Sequence, residues 1–175
     1  TTVETRTQEP PWPLLPQGPD FMNHPYFVPF AAEQAAGENP ELRAVIDKVI
    51  DPSVTPDEVH AIVTRHHHDQ HVLNTVGLRP DIKAATIYVV VTHNPTTETA
   101  LALAKNENAD AISLWKLANL QSESVSDEAE EELLTAIALH PNADDRTVSR
   151  ISRSRMELAA TVARTVLRKR GLVHD

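Results

Sequence analysis

Apolar residues recur three or four positions apart through most of this chain, the spacing that gathers them on one face of an α-helix. From residue 40 the stripe runs Leu42, Val45, Ile46, Val49 and Ile50, and Asn39-Pro40 supplies the opening such a helix needs. Thr55-Pro56-Asp57-Glu58 predicts a stronger start, with Thr at the N-cap, Pro in the first turn and Glu closing a capping box. That helix turns Val59, Ile62 and Val63 inward and runs to about His67. A short helix over 70–76 stops at Gly77, and another over Ala31 to Ala36 stops at Gly37. Pro80 opens the next, over Ile82 to Val91, where nearly every position is apolar. Taken alone, Ala-Thr-Ile-Tyr-Val-Val-Val reads equally as a strand. Its place just before a recurring phrase argues for a buried central helix. Further helices are predicted at about 97–105, 109–119, 125–139 and 144–152. Ser124 or Ser126 caps the third of these, and acidic residues fill its first turns. The last helix begins at Ser154, where Glu157 completes a second capping box, and ends before Gly171.

The recurring phrase occurs four times. Residues 49–63 read VIDPSVTPDEVHAIV, 103–118 read LAKNENADAISLWKLA, 137–152 read IALHPNADDRTVSRIS, and a shortened copy at 90–104 reads VVTHNPTTETALALA. Each copy reads as an apolar pair, then Asn-Pro, Asp-Pro or Asn-Glu, then small polar residues that turn the chain, then a helix that returns on aliphatic positions. Leu114, Leu117, Val148 and Ile151 recur in this way because each must meet its neighbour's equivalent. Units of this kind cannot bury their apolar faces alone and must stack, which predicts an all-α solenoid of short helices. The steps between copies are uneven, roughly 41, 14 and 34 residues.

The phrase, Leu-Ala-x-Asn-x-Asn followed by a capped helix closing on Leu-Ala, resembles the variant leucine-rich repeat, an all-helical repeat family akin to HEAT-type solenoids. The resemblance covers about 49–152. It implies a right-handed superhelix in which an α-helix and a shorter, often 3₁₀, helix alternate. It also implies a surface-presenting protein rather than a catalyst.

Composition narrows the reading further. Apolar residues make up 41% of the 175 and only 4 are glycine, which favours helices over a turn-rich β-sandwich. There are no cysteines, which excludes disulfides, thiolate metal sites and cysteine nucleophiles. No signal-peptide pattern opens the chain and no apolar run approaches a membrane span, so a cytoplasmic protein without membrane contact is expected. Net charge is −9 but uneven: residues 1–145 carry 8 of the 16 Lys/Arg and 23 of the 25 Asp/Glu, leaving 8 and 2 for residues 146–175. An acidic body thus precedes a basic end.

Residues 1–30 stand apart from the domain expected over 31–175. They hold 7 of 13 prolines and 5 of 7 aromatics (Trp12, Phe21, Tyr26, Phe27 and Phe30). Proline at this density favours extended backbone, and that many aromatics need something to pack on. An extended Pro- and aromatic-rich N-terminal arm is expected, docking on the solenoid's own end or on another chain.

Three sets of side chains are candidates for chemistry or binding. In Arg65-His66-His67-His68-Asp69-Gln70-His71, a continuous helix would put His67 and His71 on one face at i, i+4, a spacing that can grip zinc, nickel or copper. Asp69 opposes this if it caps a new helix; an imidazole-rich surface is the plainer reading. Arg146, Arg150, Arg153, Arg164, Arg168, Lys169 and Arg170 form a basic patch able to neutralise phosphates. The same cations suit the C-terminal end of the last helix, or answer the acidic run from Asp127 to Glu132. Trp115, between Leu114 and Leu117, is expected in the core, and Asp110 and Glu107 at cap positions. No phosphate loop, nucleophile elbow or His-Glu-x-x-His is present. The expectation is therefore a non-enzymatic protein without cofactor that binds another protein or itself through the arm and the solenoid surface. Nucleic-acid binding through 146–170 is the alternative.

Overall fold

A computed structural model of the chain describes residues 39–120 and 125–172. Among these residues there are nine helices and no strand. They are α1 (Pro40–Ile50), α2 (Pro56–Arg65), α3 (Gln70–Gly77), α4 (Ala84–Thr92), α5 (Thr97–Ala104), α6 (Ala111–Ala118), α7 (Asp127–Leu139), α8 (Asp145–Ser152) and α9 (Glu157–Lys169). Most begin because a short polar side chain satisfies the first free amides. Asn39, Asp69, Thr96, Asp110, Ser126 and Asp144 each accept a hydrogen bond from the first turn, and Thr55 with Glu58 forms the expected reciprocal capping box.

Each helix packs on its chain neighbour and also on the next helix but one. The odd-numbered helices α1, α3, α5, α7 and α9 therefore form one layer, and α2, α4, α6 and α8 the other. Between the layers lies one continuous apolar cluster running from Val49 to Leu167. Val59, Leu117 and Ile151 are all within 1% of complete burial, so the aliphatic positions of the recurring phrase do meet in the core. Each buried side chain of this size contributes about 1.5–3 kcal/mol relative to exposure.

The turns from odd to even helices share a hydrogen-bonding scheme. Arg79 Nη1 donates to the Asp51 carbonyl at 3.2 Å, 28 residues back. Asn106 Nδ2 donates to the Arg79 carbonyl at 3.3 Å, 27 residues back. His140 Nε2 donates to the Asn106 carbonyl at 2.7 Å, 34 residues back. A second rail runs alongside: Arg79 Nη2 reaches the Val54 carbonyl, Asn108 Nδ2 that of Ile82, and Asn142 Nδ2 that of Ala109. Side chains thus satisfy the buried carbonyls that the turns leave exposed by helix termination.

This ladder corrects the count of phrases. Three of the expected copies, at 49–63, 103–118 and 137–152, lie on odd-to-even turns. The shortened copy at 90–104 instead spans the even-to-odd turn from α4 to α5. The fourth equivalent turn is 78–83, with Arg79 in the place of Asp51, Asn106 and His140. Two local boundaries and one burial expectation also change. Pro80 lies in that turn, and its helix begins at Ala84 with no side-chain cap at Lys83. That helix, α4, buries Thr86, Ile87, Val90 and Val91 but leaves Tyr88 40% exposed, so only one side of it is core. The expected capping box at Ser154 and Glu157 does not form. Instead α9 begins behind Met156, Ser154 Oγ accepts from the Met156 amide, and Glu131 of α7 accepts from the Leu158 amide.

Candidate functional site

The even layer presents an aromatic and cationic strip. Trp115 of α6 is half-buried rather than a core residue, correcting the expectation from its helical phase. The Arg146 guanidinium from α8 lies over its ring, 3.9 Å from the centroid, and Arg150 stands 6.0 Å away. Lys116 of α6 reaches over Tyr88 of α4 at 5.6 Å. Local capping explains the geometry. Asp144 and Asp110 fix the starts of α8 and α6 by accepting from the Thr147 and Ser113 amides, which points Arg146 and Trp115 to the same side. The Thr147 hydroxyl, and then its amide, hold the Asp144 carboxyl below its ordinary value of 3.8, with smaller help from Arg146 and Arg170.

The rest of the basic patch is divided. Arg170 donates to Asp145 at 2.9 Å, Arg153 ends α8, and Arg164, Arg168 and Lys169 lie exposed on α9. The acidic run is answered partly within the chain. Arg155 bonds Asp127 and Glu130, and Lys105 bonds Glu132 at 3.3 Å. These pairs are exposed, and such pairs contribute about 0–1 kcal/mol each.

The odd layer carries a cleft of about 380 Å³ across α7. It is an open groove lined by apolar Ala136, Leu139 and Leu158, by the carboxylates of Glu128, Glu131 and Glu132, and by Thr135 and Lys105. Leu139 and Leu158 are 63% and 57% exposed, two of the most exposed large apolar side chains among the described residues. Nothing in the sequence distinguished them, since both fall on plausible core spacings at the ends of helices.

The helical premise of a His67–His71 metal pair does not hold. Helix α2 ends at Arg65 and Asp69 caps α3, so His67 lies in the turn between them while His71 opens the next helix. The His67 ring packs instead on His68 and on His93 at the end of α4, with centroids 3.8 and 5.7 Å apart. Among the described residues no group of three or more His, Cys, Asp or Glu side chains is placed to hold a metal ion. The arm residues Trp12, Phe21, Tyr26, Phe27 and Phe30 lie outside the described residues. No helix among the described residues is long and apolar enough to cross a membrane. No family model, curated protein or solved structure matches this chain, which leaves its geometry to carry the functional reading.

Proposed function

We propose that this chain is a non-enzymatic helical-repeat protein, a right-handed α-solenoid of the variant leucine-rich repeat kind, that binds another protein through its odd-helix face. The observation that carries the reading is the cleft over α7, where Leu139 and Leu158 stand open to water between carboxylates. Isolated exposed leucines are ordinary, but two lining one cleft together with carboxylates make a surface with a chemical preference. The occupant that fits is a cationic amphipathic segment of a partner, with apolar side chains at Leu139 and Leu158 and Lys or Arg at Glu128 and Glu131. Two-layered packing supports the solenoid, since stacked hairpins leave one broad face per layer for binding.

The test compares the full chain with its Leu139→Glu/Leu158→Glu variant, in affinity capture from the native cell and in light-scattering mass. A partner retained by the parent and lost by the variant, with helical circular dichroism unchanged, and reproduced with that partner purified, is the expected result. Equal capture by both proteins rejects the cleft as the binding face. A mass showing self-association abolished by the variant replaces the foreign partner with a second copy. The Pro- and aromatic-rich arm is proposed as a second contact; deleting residues 1–30 is expected to weaken capture while leaving helix content in place.

A further inference from the structure

We infer that the even-helix face, independently of the cleft, is a binding site for single-stranded nucleic acid. The strip crosses three successive helices of that layer, Tyr88 on α4, Trp115 and Lys116 on α6, and Arg146 and Arg150 on α8. Two interaxial steps of about 8–10 Å make it roughly 16–20 Å long, enough for several nucleotides.

Local electrostatics account for only part of this arrangement. Lys116 and Arg150 sit in the last turns of α6 and α8, where the helix dipole favours a cation. Arg146 sits in the first turn of α8, where the dipole opposes one. Asp145 is engaged by Arg170, and Asp144, held by Thr147, offsets Arg146 through space but forms no salt bridge with it. Among the described residues none of Lys116, Arg146 and Arg150 has a carboxylate within salt-bridge distance. Three cations without ion pairs, two beside the half-buried Trp115 ring and one over the exposed Tyr88 ring, offer positive charge and a flat surface to the same ligand. A guanidinium lying over an indole extends the platform, since bases stack on Arg planes as on rings. An acidic peptide would use the charge but not the flat faces.

The experiment is fluorescence anisotropy of labelled oligo-dT and oligo-rU of about 15 nucleotides against the full chain, on the upper side of typical site sizes. Binding without sequence preference is expected in the range of about 1–100 µM. With three cations engaged, the single-strand salt slope of about −0.7 per contact predicts roughly 20-fold weaker binding between 50 and 200 mM salt. Arg146→Glu/Arg150→Glu is expected to abolish binding. Trp115→Ala should weaken it at least several-fold while keeping most of the salt slope, because that residue stacks rather than pairs. In a Trp12→Phe background Trp115 is the sole tryptophan, and its emission should be quenched on binding. Absence of binding at about 100 µM overturns the inference. So does binding indifferent to these substitutions in variants with unchanged circular dichroism. Equal affinity for polyglutamate of matching charge reassigns the strip to an acidic protein partner.

Discussion

Arg79 is the residue on which the first turns depend. It is 1% exposed, donates to the carbonyls of Val49, Asp51 and Val54, and pairs with Asp81 through both Nε and Nη2. Removing it orphans the buried Val49 carbonyl and the part-buried carbonyls of Asp51 and Val54, the first costing about 1 kcal/mol or more, and strips Asp81 of its counterion. Arg79→Met is therefore expected to lower unfolding free energy by about 3–5 kcal/mol, read as a shift of the urea midpoint. Arg79→Lys should recover less than half of that loss, because a single ammonium cannot span carbonyls and carboxylate as the planar fork does. Full recovery by Lys would mean that charge alone matters. Asp144 offers a test in pH. Its folded pKa lies below 3.8, so its contribution is present above the unfolded value and is lost as pH falls through the folded one. Asp144→Ala should cost about 1 kcal/mol at neutral pH, and the gap to the parent should close on acidification beneath pH 3.8. A gap that persists in strong acid would show that the hydroxyl–carboxylate contact is not its source.

At the scale of the element, α3 packs on α5 with no room for a side chain at Gly77. A Cβ built there meets Cγ2 of Thr99 at 2.3 Å and Cγ1 of Val90 at 3.3 Å. Gly77→Ala should consequently destabilise by about 1–3 kcal/mol despite the better helix propensity of alanine. Adding Thr99→Ser deletes the clashing methyl and keeps the hydroxyl that bonds Thr96 and the Asn74 carbonyl, so the double variant should regain most of the loss. Additive losses in thermal melts would show that the two helices shift apart instead. From sequence Gly77 was legible only as a helix stop, because close packing between helices leaves no mark on its own stretch of chain. Helix starts were far more legible. Thr55, Asp69, Asp110 and Ser126 act through amides two or three residues away, a range that pattern reading covers. The start of α9 was not, since its amide is satisfied by Glu131, 27 residues earlier. The turn at Arg79 was missed for a related reason. Asp51, Arg79, Asn106 and His140 share a position but not a chemistry that textual comparison detects; all but the first are alike in donating to the turn before. Asn94-Pro95 looked like the missing copy and lacks that role. Trp115 was misplaced because helical phase says which residues share a face, not whether an arginine from another helix covers it.

At the scale of the whole molecule, every substantial helix contact among the described residues lies between neighbours or next-but-one neighbours in the chain. Helices α1 and α9 are joined only through the intervening rows and through the rungs at Arg79, Asn106 and His140. Stability in such an arrangement is the sum of local interfaces, and loss at one end need not travel to the other. A domain with a closed core would instead share the loss over all its helices. The two expectations separate in native-state hydrogen exchange. In Arg79→Met, amides of α1, α2 and α3 should lose protection while those of α7, α8 and α9 keep that of the parent. Ile151→Ala, a buried truncation costing about 2–5 kcal/mol at the other end, should produce the mirror image. The rungs set how far each loss spreads: His140 accepts from the Asn142 amide and donates to the Asn106 carbonyl, so it couples the turns before α6 and α8. His140→Ala should therefore sharpen the boundary between the two halves, leaving protection in α4 and α5 unchanged when Ile151 is also truncated. Equal loss of protection across all nine helices of the described residues in either end variant would show a single cooperative unit, and the proposed solenoid would fall with it.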